Sequence, residues 1–287
     1  MAMGLMLGGV VLNLVLDPLL IYGVGPLPRM EVAGAALATV IAYFATFAGG
    51  LAVFFGGRAP LRLRLREGLP LSAGRMVRMT AIGLPSGLNS LSFSLGRTVI
   101  MPLIAMQGTA VVAAYGMAQR LIGLGVMLIV GMGLGLSALI GQNLGAGKKD
   151  RAWETALRSL QFAGVAMALY AAVLILFAPG FARAFFADAD RLPVAVLTLR
   201  ILAIGLPFIG VGIMLEMACS GAGENRVPLL FSLLHTWALQ LPLMLLVAKV
   251  LNWDYAGLWW AATLAASLPP FAFWIYFRRR TWLAKQV

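Results

Sequence analysis

The chain has 287 residues, of which 61% are hydrophobic and only 11% are charged, and its formal net charge is +12. Soluble domains are about 45–50% apolar and about 25% charged, so this composition excludes a soluble enzyme. The single cysteine, Cys219, excludes an intramolecular disulfide and a cysteine-rich metal site. The basic residues form no stripe with interleaved aromatic residues, so we expect no nucleic-acid partner.

Eight apolar runs follow one another along the chain. A segment that crosses a membrane must satisfy its own backbone hydrogen bonds, so each run is predicted to be a helix. The predicted fold class is therefore all-α, a polytopic bundle of eight transmembrane helices. The runs are 3–22, 32–55, 80–106, 110–140, 156–178, 194–218, 227–249 and 256–277.

The first run contains the main candidate for a cation or proton site. Asn13 and Asp17 lie four residues apart, on one face of a helix. Pro18 removes the hydrogen bond to the Leu14 carbonyl and opens the backbone beside the acid. These oxygen ligands suit Na⁺ or a proton, and an acid inside a membrane is costly enough to indicate function. The alternative is an aspartate near the outer interface that pairs with a neighbouring helix.

A polar segment, 56–79, separates the second run from the third and contains six arginines. Arg62, Arg64 and Arg66 alternate with leucines, and a period of two does not fit an amphipathic helix. We predict an extended connector at the membrane surface, attracted to anionic lipid.

The later runs supply candidates for lining a substrate cavity. Arg97 lies in the middle of the third run with Asn89, between two prolines that predict a kinked helix. We expect Arg97 to point into the bundle because a bare charge in lipid is costly, and either a substrate role or an interhelical hydrogen bond satisfies this. Glu216 is a further acid inside a run, and we include it among the substrate-cavity candidates. The alternative for Glu216 is a structural or gating role.

A weak internal repeat relates residues 33–38 to residues 256–261 at an offset of 223. The offset places Asp17 opposite Gln240, which we add to the substrate-cavity candidates. Parallel repeats are typical of transporters, so the first two and last two helices are predicted to end two separate bundles.

The loops between the runs differ in basic residues. With the N-terminus inside, fifteen of the 22 lysines and arginines lie in cytoplasmic segments, four in outer segments and three within spans. The positive-inside rule then predicts a multi-pass inner-membrane protein with cytoplasmic N- and C-termini.

Several segments, among them an Asn-x-x-x-Asp-Pro motif and a Gly-Gln-x-x-Gly-Ala-Gly motif, carry a family resemblance. Segment 13–23 resembles the fifth helix of the MATE (multidrug and toxin extrusion) family, 32–39 the sixth, 83–85 the start of the seventh, 113–120 with 141–152 the eighth and its cytoplasmic loop, and 221–228 the loop after the tenth. The resemblance implies the two-lobe architecture of the MOP superfamily, with twelve helices around a central cavity.

The resemblance also assigns domains and a site. Residues 1–57 correspond to the last two helices of the N-terminal lobe, 58–79 to a basic cytoplasmic linker, and 80–287 to a six-helix C-terminal lobe. The first four helices have no counterpart here, so we expect an incomplete first lobe whose missing helix bundle is a partner. The family's first-lobe cation site matches Asn13, Asp17 and Thr39, and no metal site is expected beyond Na⁺ at Asp17 and Asn13.

The implied function is secondary active transport: antiport, driven by Na⁺ or H⁺, that exports drugs or other amphipathic organic compounds. We expect no enzymatic activity and no cofactor besides the coupling ion; membrane lipid and a small organic substrate are the other expected partners. One alternative is a lipid-linked oligosaccharide flippase of the same superfamily, which Arg97, Arg120 and Arg200 favour because they suit an anionic headgroup. Another is an inactive or partner-dependent membrane fragment.

Overall fold

A computed structural model of the chain describes residues 2–24, 28–56, 72–251 and 253–284, and all regular elements in these ranges are helical. The helices are α1 (Ala2–Tyr22), α2 (Glu31–Phe55), α3 (Ala73–Ala105), α4 (Thr109–Gly145), α5 (Lys149–Leu176), α6 (Ala178–Phe185), α7 (Leu192–Ile204), α8 (Leu206–Gly221), α9 (Arg226–Val250) and α10 (Tyr255–Arg278). Seven are long and apolar enough to cross a membrane, and the number is eight if the bent pair of α7 and α8 forms one span. The all-α membrane class is thereby confirmed.

Several helices extend beyond the apolar runs that predicted them. Helix α3 begins at Ala73, inside the segment expected to be a connector, and the remainder of that segment, 57–71, lies outside the described residues. Helix α4 continues to Gly145, and α5 begins at Lys149. Hydropathy marks the part of a helix that crosses lipid, whereas backbone hydrogen bonding continues into the polar flanks.

The sixth apolar run, 194–218, is two helices rather than one. Helices α7 and α8 meet at Gly205 with a bend of 43°. Pro207 lies one residue into α8 and has no N–H with which to continue the hydrogen-bond ladder of α7.

Helix α9 is interrupted by two π-helical segments, Leu234–Gln240 and Leu246–Val250. They flank a short α-helical segment that contains Pro242. A proline inside a span leaves a carbonyl without its partner, and wider turns adapt the ladder around it. Such turns occur frequently at functional sites.

The chain divides into two compact units, Met1–Ser72 and Ala73–Val287. In the first unit, α1 packs against α2 through small residues: Gly34, Ala38 and Ala42 are buried on α2. A Cβ atom at Gly34 would lie 2.5 Å from the Leu20 carbonyl oxygen, so only glycine permits this approach.

In the second unit, α8 lies at the centre and packs against α4, α5 and α10. Glycines again set the distance between helices, with Gly125 beside Tyr170 and Gly210 beside Met167. The Tyr170 hydroxyl donates to the Leu121 carbonyl at 2.6 Å, which satisfies a polar group in the contact between α4 and α5.

Aromatic side chains close one end of the second unit. Trp153 on α5 stacks on Phe277 of α10 with ring centroids 5.4 Å apart, and Trp282 stacks on Phe277 at 4.5 Å. The Trp282 indole N–H donates to the Phe277 carbonyl at 3.1 Å, and the Arg280 guanidinium lies 4.6 Å from the centre of the Trp153 ring. This cluster fixes the chain after α10 onto the bundle.

Candidate functional site

The two polar residues of α1 lie together on the face that contacts α2. Asn13 Nδ2 donates to Asp17 Oδ1 at 3.5 Å, and both side chains are half-buried. They lie at helical spacing between Gly9, which approaches Thr46 of α2, and Leu20, which packs on Gly34. One carboxylate oxygen of Asp17 is not used in this hydrogen bond and is available to a cation or a proton.

The third residue predicted for this site, Thr39, lies off the contacting face. Its side chain is exposed, and its hydroxyl donates to the Ala35 carbonyl of its own helix at 2.9 Å. Its neighbour Ala38 occupies the contact with α1, and consecutive helical residues point about 100° apart. The threonine of α2 that does contact α1 is Thr46, which the sequence analysis missed.

In the second unit, two predicted cavity residues meet across helices. Asn89 Nδ2 of α3 donates to Glu216 Oε1 of α8, although 127 residues separate them in sequence. Both border a cavity of about 180 Å³, which is large enough for several waters. The other lining residues are Ser86, Ser90, Met217, Ser220, Asn225 and Pro228.

Close helix contacts hold this cavity in place. On α3, Gly96 lies against Thr236 of α9, and the Trp237 indole N–H donates to Ser92 Oγ at 2.9 Å. On α8, Gly221 lies directly against the backbone of Ser137 in α4. Local sequence patterns do not reveal these contacts because each joins distant segments.

The other two predicted cavity residues do not border this space. Arg97 lies eight residues beyond Asn89 on α3, or about 12 Å along the helix. It is exposed within its unit and forms no ion pair within the described ranges, so its orientation into the bundle stays a prediction. Gln240 is half-buried at the end of the first π-helical segment of α9.

Arg97 lies in the same region of the second unit as an aromatic pair that no local sequence pattern indicates. It is within electrostatic range of the Tyr115 hydroxyl, which also contacts the Gln119 side chain. The Tyr115 ring stacks on Trp259 of α10, with centroids 5.3 Å apart and planes 5° from parallel. Trp259 is fully buried, so the exposed Arg97 guanidinium, which suits an anionic group, is the part of this region open to a ligand. Local sequence patterns do not predict this stack, because Tyr115 and Trp259 lie far apart in sequence.

Comparisons with known proteins agree on one family. The MatE family model matches residues 85–246. The FAD transporter of Shewanella oneidensis is 30% identical over 81% of this chain and 51% of its own length, and a probable multidrug resistance protein NorM of Deinococcus radiodurans is 29% identical over 92% of this chain and 59% of its own length.

The fold comparison gives the same result. The chain is similar, with a TM-score of 0.88 and 25% identity, to the outward-facing structure of a multidrug resistance MATE family transporter of the MOP superfamily. The similarity covers 99% of this chain and 63% of that one. Against the curated relatives that it matches, the chain spans between about half and 60% of their length.

Proposed function

Because the chain belongs to the MATE family, we propose that it acts in the cation-coupled export of amphipathic organic compounds. The observation that supports this most is the half-buried Asn13–Asp17 pair on the face of α1 that contacts α2. A carboxylate within an apolar span is retained at a cost, and binding a coupling ion accounts for that cost. Glu216, Asn89 and the serines around them are proposed to line a polar part of the route in the second unit.

The proposal is tested by reconstituting the chain in liposomes and following uptake of a fluorescent organic cation. Uptake is measured with a Na⁺ gradient, with a pH gradient and with neither. We expect one of the two gradients to stimulate uptake, which also identifies the coupling ion. Equal uptake under all three conditions would contradict coupling and favour a membrane fragment that needs a partner bundle.

A second candidate function, transport of anionic compounds, rests on Arg97. Arg97 is an exposed cationic side chain within electrostatic range of the Tyr115 hydroxyl, and its guanidinium favours an anionic group. The relative from Shewanella oneidensis is named an FAD transporter, and FAD combines a planar ring with phosphates. A lipid-linked oligosaccharide, the flippase alternative, also carries phosphate but lacks the planar ring.

Replacing Arg97 with glutamine distinguishes the two substrate classes. If the substrate is anionic, we expect Arg97→Gln to lower FAD uptake by roughly ten- to a hundredfold, the equivalent of one lost charged hydrogen bond. Uptake of the organic cation should be unchanged. Arg151→Gln, on α5, is the matched control because it removes an exposed charge of the same kind from a residue of no candidate site. Cation uptake that falls as much as FAD uptake would argue against an anionic substrate.

The predicted orientation is a separate proposal, with both termini in the cytoplasm. In a Cys219→Ala background, Asp190→Cys should react with an impermeant thiol reagent in intact cells, and Asp150→Cys should react only after lysis. Both positions are exposed, so the difference reports the side of the membrane. Labelling of Asp150→Cys from outside would reverse the orientation.

A further inference from the structure

A second pocket, distinct from the proposed ion and substrate sites, opens where α6, α7 and the start of α10 meet. Its volume is about 430 Å³. Three polar side chains border it: Arg183 of α6, Arg200 of α7 and Tyr255 of α10. Its apolar wall includes Leu192 and Val196. The pocket therefore combines two cationic groups and a hydroxyl with an apolar surface.

The two arginines carry uncompensated charge. Both are exposed, and neither forms an ion pair in the described part of the chain. Arg200 Nε donates to the Ile175 carbonyl at 3.2 Å, which orients the guanidinium and leaves its terminal N–H groups available.

The acidic residues closest in sequence do not neutralise this pocket. Asp188 pairs with Arg191 at 3.2 Å, and the Asp254 carboxylate accepts from the Gly257 N–H at 3.3 Å. Neither they nor Asp190 border the pocket. The residues that line the pocket therefore include two arginines and no acidic side chain.

The pocket lies at the ends of membrane-spanning helices. Helix α6 is a short element between α5 and α7 that buries Ala178 and Ala182 and leaves Arg183 exposed. Just before it, Leu176 and Phe177 are 71% and 62% exposed. A short helix with apolar neighbours and an exposed arginine is typical of the boundary between acyl chains and headgroups.

We propose that this pocket binds the phosphate of an anionic phospholipid. The planar guanidinium groups of Arg183 and Arg200 can each donate two parallel hydrogen bonds to phosphate oxygens. The Tyr255 hydroxyl adds a further donor. Leu192 and Val196 cover the apolar start of the lipid tails. The proposal does not depend on transport.

Native mass spectrometry of the full chain, released from vesicles of phosphatidylcholine and phosphatidylglycerol, tests the proposal. We expect preferential retention of phosphatidylglycerol. Arg183→Gln and Arg200→Gln should each weaken retention about fivefold, and the double variant should weaken it roughly twenty- to thirtyfold. Arg191→Gln is the matched control because it removes a nearby arginine that is paired with Asp188 and does not border the pocket.

Three further measurements keep the result unambiguous. Arg183→Lys and Arg200→Lys retain charge but lose the planar guanidinium group, so they should show intermediate retention, and circular dichroism verifies that all variants are folded. Inorganic phosphate is offered to the lipid-free protein in detergent. Equal retention of both lipids, equal loss in Arg191→Gln, or retention of inorganic phosphate in place of lipid would overturn the proposal.

Discussion

Asp17→Asn is expected to remove most of the gradient-driven uptake while the chain stays folded. The amide keeps the shape of the carboxyl group and can still accept from Asn13 Nδ2, so the contact between α1 and α2 is preserved. It has no charge to hold Na⁺ and does not bind a proton near neutral pH. Losing a charged ligand is worth about 1.5–3 kcal/mol, so the gradient-stimulated rate should fall roughly ten- to a hundredfold.

The liposome assay described above measures this effect, with Asp190→Asn as the control. Asp190 is an exposed aspartate in a 3₁₀ turn, so its loss removes the same charge without touching α1. Asp17→Glu retains a carboxyl group and should keep part of the stimulation. Full stimulation in the Asp17→Asn variant would exclude Asp17 as the coupling residue.

Gly221→Ala is expected to produce a large loss of stability from a single methyl group. A Cβ atom at Gly221 would lie 2.8 Å from the Ser137 Cα atom, and backbone cannot move aside as a flexible side chain can. Helices α4 and α8 would have to separate at the C-terminal end of α8. Overpacking of this kind costs about 1–3 kcal/mol, and we expect the upper part of that range.

The free energy of unfolding in a detergent titration measures this loss. Gly135→Ala, on α4, is the matched control because a Cβ atom there meets nothing within 4 Å. The control should be neutral or more stable by up to about 1 kcal/mol, since alanine favours helix over glycine. Equal stability of the two variants would mean that the contact at Gly221 does not limit helix packing.

The two proposed substrate regions of the second unit differ in what they can recognise. The cavity at Asn89 and Glu216 offers a carboxylate, an amide and hydroxyls, which suit water, protons or cations. The surface at Arg97 offers a cation that forms no ion pair among the described residues. If both regions serve one substrate route, the charge that lines the route changes from acidic to basic along about 12 Å of α3.

Local patterns in the sequence predicted the parts of the protein that depend on near neighbours. Hydropathy over about twenty residues identified the spans, because lipid requires each helix to satisfy its own backbone. The four-residue spacing of Asn13 and Asp17 predicted their shared face and their hydrogen bond, because both follow from one helical turn. The motifs along the chain also predicted the family.

Tertiary packing decided what depends on the rotation and register of one helix against another. Glycine and alanine contacts set that rotation, so Thr46 rather than Thr39 lies on the face of α2 that contacts α1. The same packing joins Asn89 to Glu216 and brings Arg183 near Arg200 at one pocket. Hydropathy does not predict the rotation of one helix against another, because the mean hydropathy of a helix is the same at every rotation about its axis.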